Sequence, residues 1–496
     1  MNWMRVLRHA SATAMTPAQA ELTAAVRAAL GDKAVVTDPA DIAPWLTDWR
    51  GRFHGNSPAI LAPDTVAGVQ LVVAKARDLG VALVPQGGNT SMVAGATPPA
   101  DGSALILSTR RLNRIRSLRP ADALAVAEAG VILSNLHDAA LAEGMRFPLT
   151  LGAKGSATIG GLASTNAGGT QVLRFGTMRG LVAGVEAVLP DGSLHDGLAA
   201  LKKDNRGYDL NQLLIGAEGT IGVITAATLR LVPAILDRAV AWAGLADPER
   251  ALALLRRLQR ATQAVESFEI IPQSFLDAVV RHVPGTRAPL GGNHGWHVLI
   301  EATRATPADE PPAALLERLL GDALAAGEVE DAVVAASEAQ ADALWKIRET
   351  IPEASRAEGP ALQHDISVPV AGMPRFLIEG AKTVEARFPG TRAAGFGHLG
   401  DGNVHFHVRA PAGTDGPSWY EGQAHVISAF VHDLVVAAGG SISAEHGIGQ
   451  LKRDELARLS SPARMMALRA IKRAFDSREL MNPGKLVTLA PDGATP

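Results

Sequence analysis

The sequence predicts an α+β protein built in at least two parts, and three observations carry that prediction. An α/β unit lies near the N-terminus, three glycine-rich loops follow it, and the texture changes at about Leu236 to alternating helices and strands. A chain of 496 residues has room for about three domains or two large ones.

The elements can be justified in order. The first fifteen residues carry Arg5, Arg8 and His9 but no apolar h-region, so a disordered start is expected, with a weak transit-like segment as the alternative. Residues 64 to 80, DTVAGVQLVVAKARDLG, read as a helix with Asp64 as N-cap after Pro63 and Gly80 as its C′ stop. VALVP then reads as a short buried strand, and Ala104 to Leu107 as a second. Residues 147 to 169, FPLTLGAKGSATIGGLASTNAGG, hold small and hydroxylated residues with almost no bulk. Such a stretch is expected to lie close against something rather than build a core. IGAEGTIGVIT, 215 to 225, ends in a β-branched strand. Beyond Leu236, Ala- and Leu-rich helices alternate with strands such as WHVLIEA and HDISVPV, while 304 to 313 and 410 to 418 read as surface loops. MNPGKL, 481 to 486, closes a long helical pattern, and no internal repeat is visible.

Composition excludes several classes. Hydrophobic residues at 47% and charged residues at 20% are ordinary globular values. A net charge of -3 with only 4% aromatics argues against a nucleic-acid groove. The chain has no cysteine. Any metal must therefore rest on His and carboxylate, and redox chemistry needs a cofactor. No apolar run reaches the roughly eighteen residues a spanning helix needs. A cytoplasmic location, with peripheral attachment to the inner membrane as a variant, is the expectation.

Three glycine loops together imply a phosphorylated ligand, because backbone N–H groups can ring a pyrophosphate only where Cβ atoms do not intrude. Neither GxxxxGK[ST] nor GxGxxG occurs in the required strand-turn-helix setting, which disfavours the P-loop and Rossmann readings. A further stretch, GFGHLGDGNVHFHV at 395 to 408, reads as a hairpin turning at Gly400-Asp401-Gly402-Asn403. Period-two alternation sends Val404, Phe406 and Val408 one way and His405 and His407 the other, with His398 closing the preceding strand. Three converging imidazoles suit a catalytic or metal site; a solvated polar face is the bland alternative.

Six stretches, PQGGNTSMVAGA (85 to 96), PLTLGAKGSATIGGLASTNAGG (148 to 169), KKDNRGYDLNQLLIGAEGTIGVIT (202 to 225), GHLGDGNVHFHV (397 to 408), SAEHGIG (443 to 449) and NPGK (482 to 485), occur in this order. Together they resemble the FAD-linked 2-hydroxyacid dehydrogenases, a family whose members act on D-2-hydroxyglutarate, D-lactate or glycolate. The resemblance runs from about residue 40 to 487 and implies a VAO/PCMH-type FAD-binding domain, an α+β (ferredoxin-like) cap domain, and a C-terminal helical segment returning to the flavin. The corresponding boundaries are an N-terminal helical segment at 1–50, the FAD domain at 51–235, the cap at 236–478 and the last segment at 479–496. By motif, the resemblance implies that Pro85, Gly87, Gly88, Asn89, Thr90 and Ser91 cradle the pyrophosphate. It implies that Gly152, Ser156, Gly160, Gly161, Thr165, Asn166 and Gly169 line the ADP and flavin path, with Glu218, Gly222 and Ile224 nearby and Asn482 at the flavin end. The first loop, QGGNTSM, has no histidine to tether the flavin, so noncovalent FAD is expected.

The resemblance also implies a divalent metal, usually zinc, on His398, His405 and Glu445. Two imidazoles and a carboxylate leave an open position for a substrate hydroxyl and carboxylate. His446 is the candidate base, Arg348 the candidate grip on the substrate carboxylate, and His407 either a substrate contact or a further ligand. Relatives that oxidise hydroxyglutarate carry a Thr and a Lys where this chain has Pro352 and Gln363. The family's second cation is therefore missing from its usual place, which leaves a 2-hydroxyacid with a neutral tail as good a candidate as a dicarboxylate. The expected acceptor is a quinone, a cytochrome or an electron-transfer flavoprotein, and a homodimer is compatible with the sequence. Two other readings remain open at this stage: a metal-dependent hydrolase, and redox-neutral flavin chemistry of the alkyl-glycerone-phosphate-synthase kind.

Overall fold

The computed structural model describes residues 14–489. The expectations for residues 1–13 and 490–496 lie outside the described residues.

The chain opens with α1 (Pro17–Leu30), capped by Thr16, and a four-stranded sheet made of β1 (Val35–Val36), β2 (Ile60–Leu61), β3 (Ala82–Gln86) and β4 (Ala104–Ser108). The strand order is β1-β2-β4-β3, with β3 and β4 parallel and in register from Ala82 against Ala104. The crossover from β2 to β3 is α2 (Val66–Leu79), which buries Val69, Val72, Val73 and Ala76 against the sheet. The α/β unit is therefore as expected, but its cap is not. Thr65, not Asp64, is the N-cap, its Oγ1 accepting from Gly68 N at 3.1 Å, because Asp64 is drawn off to Arg111 at 2.7 Å. Gly80 ends the helix at φ +69°.

A second sheet, all antiparallel, comprises β5 (Ile115–Arg119), β6 (Leu124–Glu128), β7 (Val182–Val188), β8 (Leu194–Asp196) and β9 (Val223–Arg230), in the order β5-β6-β9-β7-β8. Between β6 and β7 lies α3 (Ile159–Thr165). Here one expectation is corrected. The stretch 147–169 does build core, since Phe147, Leu149, Ile159, Leu162 and Ala163 are buried in the cluster under this sheet. Ile159, Leu162 and Ala163 fall at helical spacing on one face of α3, and Phe147 and Leu149 are buried from the chain before it.

The third sheet has seven antiparallel strands: β10 (Asp237–Leu245), β11 (Val265–Pro272), β12 (Trp296–Arg304), β13 (Asp331–Val334), β14 (Ala361–Ser367), β15 (Arg392–His398) and β16 (Asn403–Arg409). They are ordered β13-β10-β12-β11-β15-β16-β14. In chain order, its helices are α4 (Pro248–Ala261), α5 (Gln273–His282), α6 (Pro312–Ala325), α7 (Glu338–Glu349), α8 (Ile351–Ala357) and α9 (Gly416–Ala437). One face packs on α4, α6 and α9 through Leu254, Leu316, Val431 and the hairpin residues Val404, Phe406 and Val408. The opposite face packs on α5, α7 and α8 through Phe275, Leu344, Ile351 and Phe396. The period-two alternation read from the hairpin thus decides which residues meet each core.

Two features tie the third sheet to the first two. Glu266 on β11, fully buried, accepts from Arg146, from Arg174 at 2.7 Å and from Thr303 Oγ1 at 2.6 Å. After α10 (Pro462–Phe475), the chain returns to the first sheet, where Asn482 N donates to Leu83 O at 2.7 Å.

Candidate functional site

Two cavities adjoin where the sheets meet. The first, of about 540 Å³, is lined by Pro85, Gly87, Gly88, Asn89, Thr90 and Ser91 at the end of β3 and the loop after it, by Gly152, Gly160, Gly161 and Thr165, and by Glu218, Gly222 and Ile224 at the start of β9 and the loop before it. Backbone dominates this wall for a steric reason. A Cβ on Gly88 would stand 1.9 Å from Ser156 O, and one on Gly87 2.2 Å from Thr158 Oγ1. The same wall carries a buried hydroxyl, Thr158 Oγ1, with no hydrogen-bond partner among the described residues. A donor-rich glycine cradle beside an unspent hydroxyl fits the phosphates of a dinucleotide.

Three residues expected on this wall, and Asn482 expected at the flavin end, are not among those that line it. Ser156 presses its carbonyl on Gly88, and Gly169 lies against Thr150 O. Asn166, at φ +51°, ends α3 and accepts from Arg179 N at 2.9 Å. Asn482 is buried and donates to Gly95 O at 2.8 Å and Glu218 O at 2.6 Å, so it braces the first and third loops instead of lining the space. Glu218 lines the cavity, and its carboxylate also accepts from Ile448 N and Gly449 N, both at 2.7 Å. That pair of bonds holds the SAEHGIG segment over the cavity.

The second cavity, of about 700 Å³, is lined by Arg348, His405, His407, His446 and Asp365, with Pro352 and Gln363 also on its wall. Trp49, Met92 and His446 line both cavities and form the partition between them. At this junction His398, His405 and Glu445 bring their ligand atoms within 4.8 Å of one another. His398 Nε2 lies 3.8 Å from Glu445 Oε1, while its Nδ1 is held by Glu269 Oε1 at 2.5 Å. A carboxylate behind one ring nitrogen, with the other aimed at further donors, is the usual arrangement around a metal-ligating histidine, so the set fits a divalent cation.

Glu269 does more than orient His398. Its other oxygen takes Arg348 Nε at 2.6 Å, and the Arg348 guanidinium lies 5.0 Å from the Phe396 ring centre. Arg348 is only 8% exposed, so it is not a solvated arginine on an amphipathic helix, and its terminal nitrogens keep no partner among the described residues. Asp365 plays the matching part for the other loop. One oxygen accepts from Glu445 N at 3.0 Å and His446 N at 3.1 Å, and the other from Asn403 Nδ2 at 3.0 Å.

Electrostatics follow from this packing. Burial lowers His446 to about 4 against the opposing pull of Asp365, whose carboxylate lies 3.3 Å from Nδ1; the imidazole is a neutral base at neutral pH. Burial, with Arg409 and Arg50 nearby, lowers His407 to about 3; its Nδ1 is tied to Ser355 Oγ at 3.0 Å. Burial and then Arg348 push His405 down. Burial would depress His398 too, but Glu269 outweighs it and holds that ring at about 9, while burial raises Glu445 to about 7. A cation binding at this set would displace those protons. Sequence reasoning missed Trp49, Thr158, Glu269 and Asp365. Asp365 stood in the HDISVPV strand, where an acid in an otherwise apolar run was an available signal.

Comparison with known proteins identifies the family of the chain. Residues 57–197 match the family model for an FAD binding domain, and 236–486 that for the C-terminal domain of FAD linked oxidases. D-2-hydroxyglutarate dehydrogenase of Xanthomonas citri pv. viticola is 36% identical, covering 91% of this chain and 93% of its own. The mitochondrial D-2-hydroxyglutarate dehydrogenase of Arabidopsis thaliana is 34% identical over 92% of this chain and 80% of its own. Among solved structures, p-cresol methylhydroxylase superposes with a TM-score of 0.75 over 97% of this chain and 99% of its own at 15% identity, a likeness of fold alone.

Proposed function

We propose, on the premise that the chain belongs to the FAD-linked oxidases and is an FAD-dependent 2-hydroxyacid dehydrogenase, that its two cavities divide the reaction between cofactor and substrate. The glycine-lined cavity holds FAD, noncovalently, with the Pro85 to Ser91 loop and Thr158 at the phosphates. The charged cavity holds a D-2-hydroxyacid over a divalent cation on His398, His405 and Glu445, zinc being the expected metal. Bound FAD supplies a two-electron acceptor, and the cation a Lewis acid that makes a coordinated alcohol more acidic.

This chain's own residues do the rest. Arg348, fixed by Glu269, grips the substrate carboxylate through its free terminal nitrogens. His446, neutral and held by Asp365, takes the hydroxyl proton. His407, with Nδ1 occupied by Ser355, offers its other nitrogen as a substrate contact. Trp49 and Met92 line the passage between the two cavities. Electrons leave to a quinone, a cytochrome or an electron-transfer flavoprotein. No helix among the described residues is long and apolar enough to cross a membrane. The observation that carries this reading is that His446 belongs to both cavities, beside a metal-capable trio. Anaerobic mixing with D-2-hydroxyacids tests it: flavin absorbance near 450 nm bleaches with at least one D-acid, whereas persistent oxidised flavin across the panel contradicts it. The hydrolase reading predicts colourless protein with chelator-sensitive hydrolysis. Net bleaching also separates this reading from redox-neutral chemistry.

A further inference from the structure

The charged cavity holds more cation than a monocarboxylate needs. Arg50, Arg52 and Arg356 line it together with Arg348. None of the first three side chains has a hydrogen bond or ion pair among the described residues. The one acidic side chain on the wall, Asp365, is already committed to the backbone of Glu445 and His446 and to Asn403. Exposure explains Arg52 and Arg356 as rim residues, but not Arg50, which is half-buried. Burial first, then the neighbouring charge of Arg52 and more weakly that of Arg356, outweigh the opposing pull of Asp365 and Asp48 and bring its guanidinium down to about 10. An arginine desolvated beside like charges costs stability unless something anionic compensates it.

The loop that carries Arg50 is built, not loose. Asp48, 6% exposed, accepts from the backbone N–H of Arg50 at 3.2 Å, Arg52 at 2.6 Å and Phe53 at 2.6 Å. Asp48 N donates to Phe53 O, and Thr47 bridges His54 across the neck. The acid at the base of the loop is thus consumed by the backbone, leaving the two arginine side chains unpaired. The cavity's volume of about 700 Å³ also lies in the roughly 300–1,000 Å³ range of sites for ligands far larger than a three-carbon acid.

We infer that Arg50, with Arg356 and Arg52 at the rim, forms a second anion subsite opposite Arg348, so that the preferred substrate is a D-2-hydroxyacid whose tail ends in a carboxylate or a phosphate. This rests on the reading of the chamber given above. The cation absent at Gln363 is supplied from a different loop, and forked guanidinium groups suit either planar carboxylate or phosphate oxygens.

The test uses FAD-loaded full-length protein and stopped-flow anaerobic flavin reduction with D-lactate, D-2-hydroxyglutarate and 3-phospho-D-glycerate. The wild type is expected to reduce with a kcat/KM on the order of a hundredfold higher for one of the anionic-tail acids than for D-lactate; the acid that wins tells carboxylate from phosphate. Arg50→Met with Arg356→Met is expected to shrink that preference tenfold or more, through KM, with the flavin spectrum intact, and Arg50→Lys to recover part of it. D-lactate used as well as both anionic acids overturns the subsite alone. Equal losses for all three acids in the double variant also overturn it, since that is what a structural role would give. Flavin left oxidised by every acid removes the chamber reading and the subsite with it.

Discussion

The two cavities meet at Trp49, Met92 and His446, yet they are made of different materials. The cofactor cavity is walled by glycine backbone and small hydroxyl groups from three loops, each within about twenty residues of sequence. The substrate chamber is walled by charged and imidazole side chains drawn from β14, β16, α7, α8 and two loops, spread along the chain from Arg50 to His446. The first site is defined by where atoms are missing, the second by where charges are buried in pairs. The first should therefore fail by steric intrusion and the second by loss of orientation.

Substitutions can break or sharpen that contrast. The largest effect is expected from Gly88→Ala. Its Cβ would lie 1.9 Å from the Ser156 carbonyl, where backbone must move, so FAD affinity falls by about a hundredfold or more, some 2.7 kcal/mol. Absorbance of the purified protein reads this as lost flavin, while the metal trio, none of whose residues that Cβ would meet, is expected still to bind zinc by calorimetry. Glu269→Gln should do the reverse on a smaller scale. It removes the charge shared by His398 and Arg348, and outer-shell losses of this kind weaken metal binding by roughly 10- to 100-fold. Metal content after dialysis checks the loss, and an unchanged flavin spectrum checks its confinement to the chamber. Flavin loss in that variant would blur the distinction between the two sites.

This difference in material also explains what was legible in the sequence. Glycine loops announce themselves because several residues in a row must be small, and the hairpin histidines because a two-residue period fixes which side they face. The resemblance added Arg348, His446 and Glu445 by motif. Glu269 was invisible: it lies within SFEIIPQ, an apolar strand in which one acid looks like an edge residue until β15 pairs alongside it and brings His398 opposite. Arg50 was equally silent, since an arginine in a charged loop reads as solvated, and only the folded chain shows that loop pinned by Asp48 against the chamber. Asn482, Asn166, Ser156 and Gly169, named by motif, are not among the residues that line the cavity. Motif membership marks the loop, not which of its side chains faces inward.

The central claim is that the cavity that would hold FAD and the His398, His405 and Glu445 trio that would hold a cation meet at the His446 partition, so that the two groups would act on one substrate. His405→Ala tests it most directly, by anaerobic reduction with D-2-hydroxyglutarate and with D-lactate. The account predicts protein that keeps its FAD and its oxidised spectrum while substrate-driven bleaching falls by about a thousandfold or more, the scale of losing essential transition-state stabilisation of some 4 kcal/mol. Bleaching at the wild-type rate, or loss of FAD in its place, would contradict it.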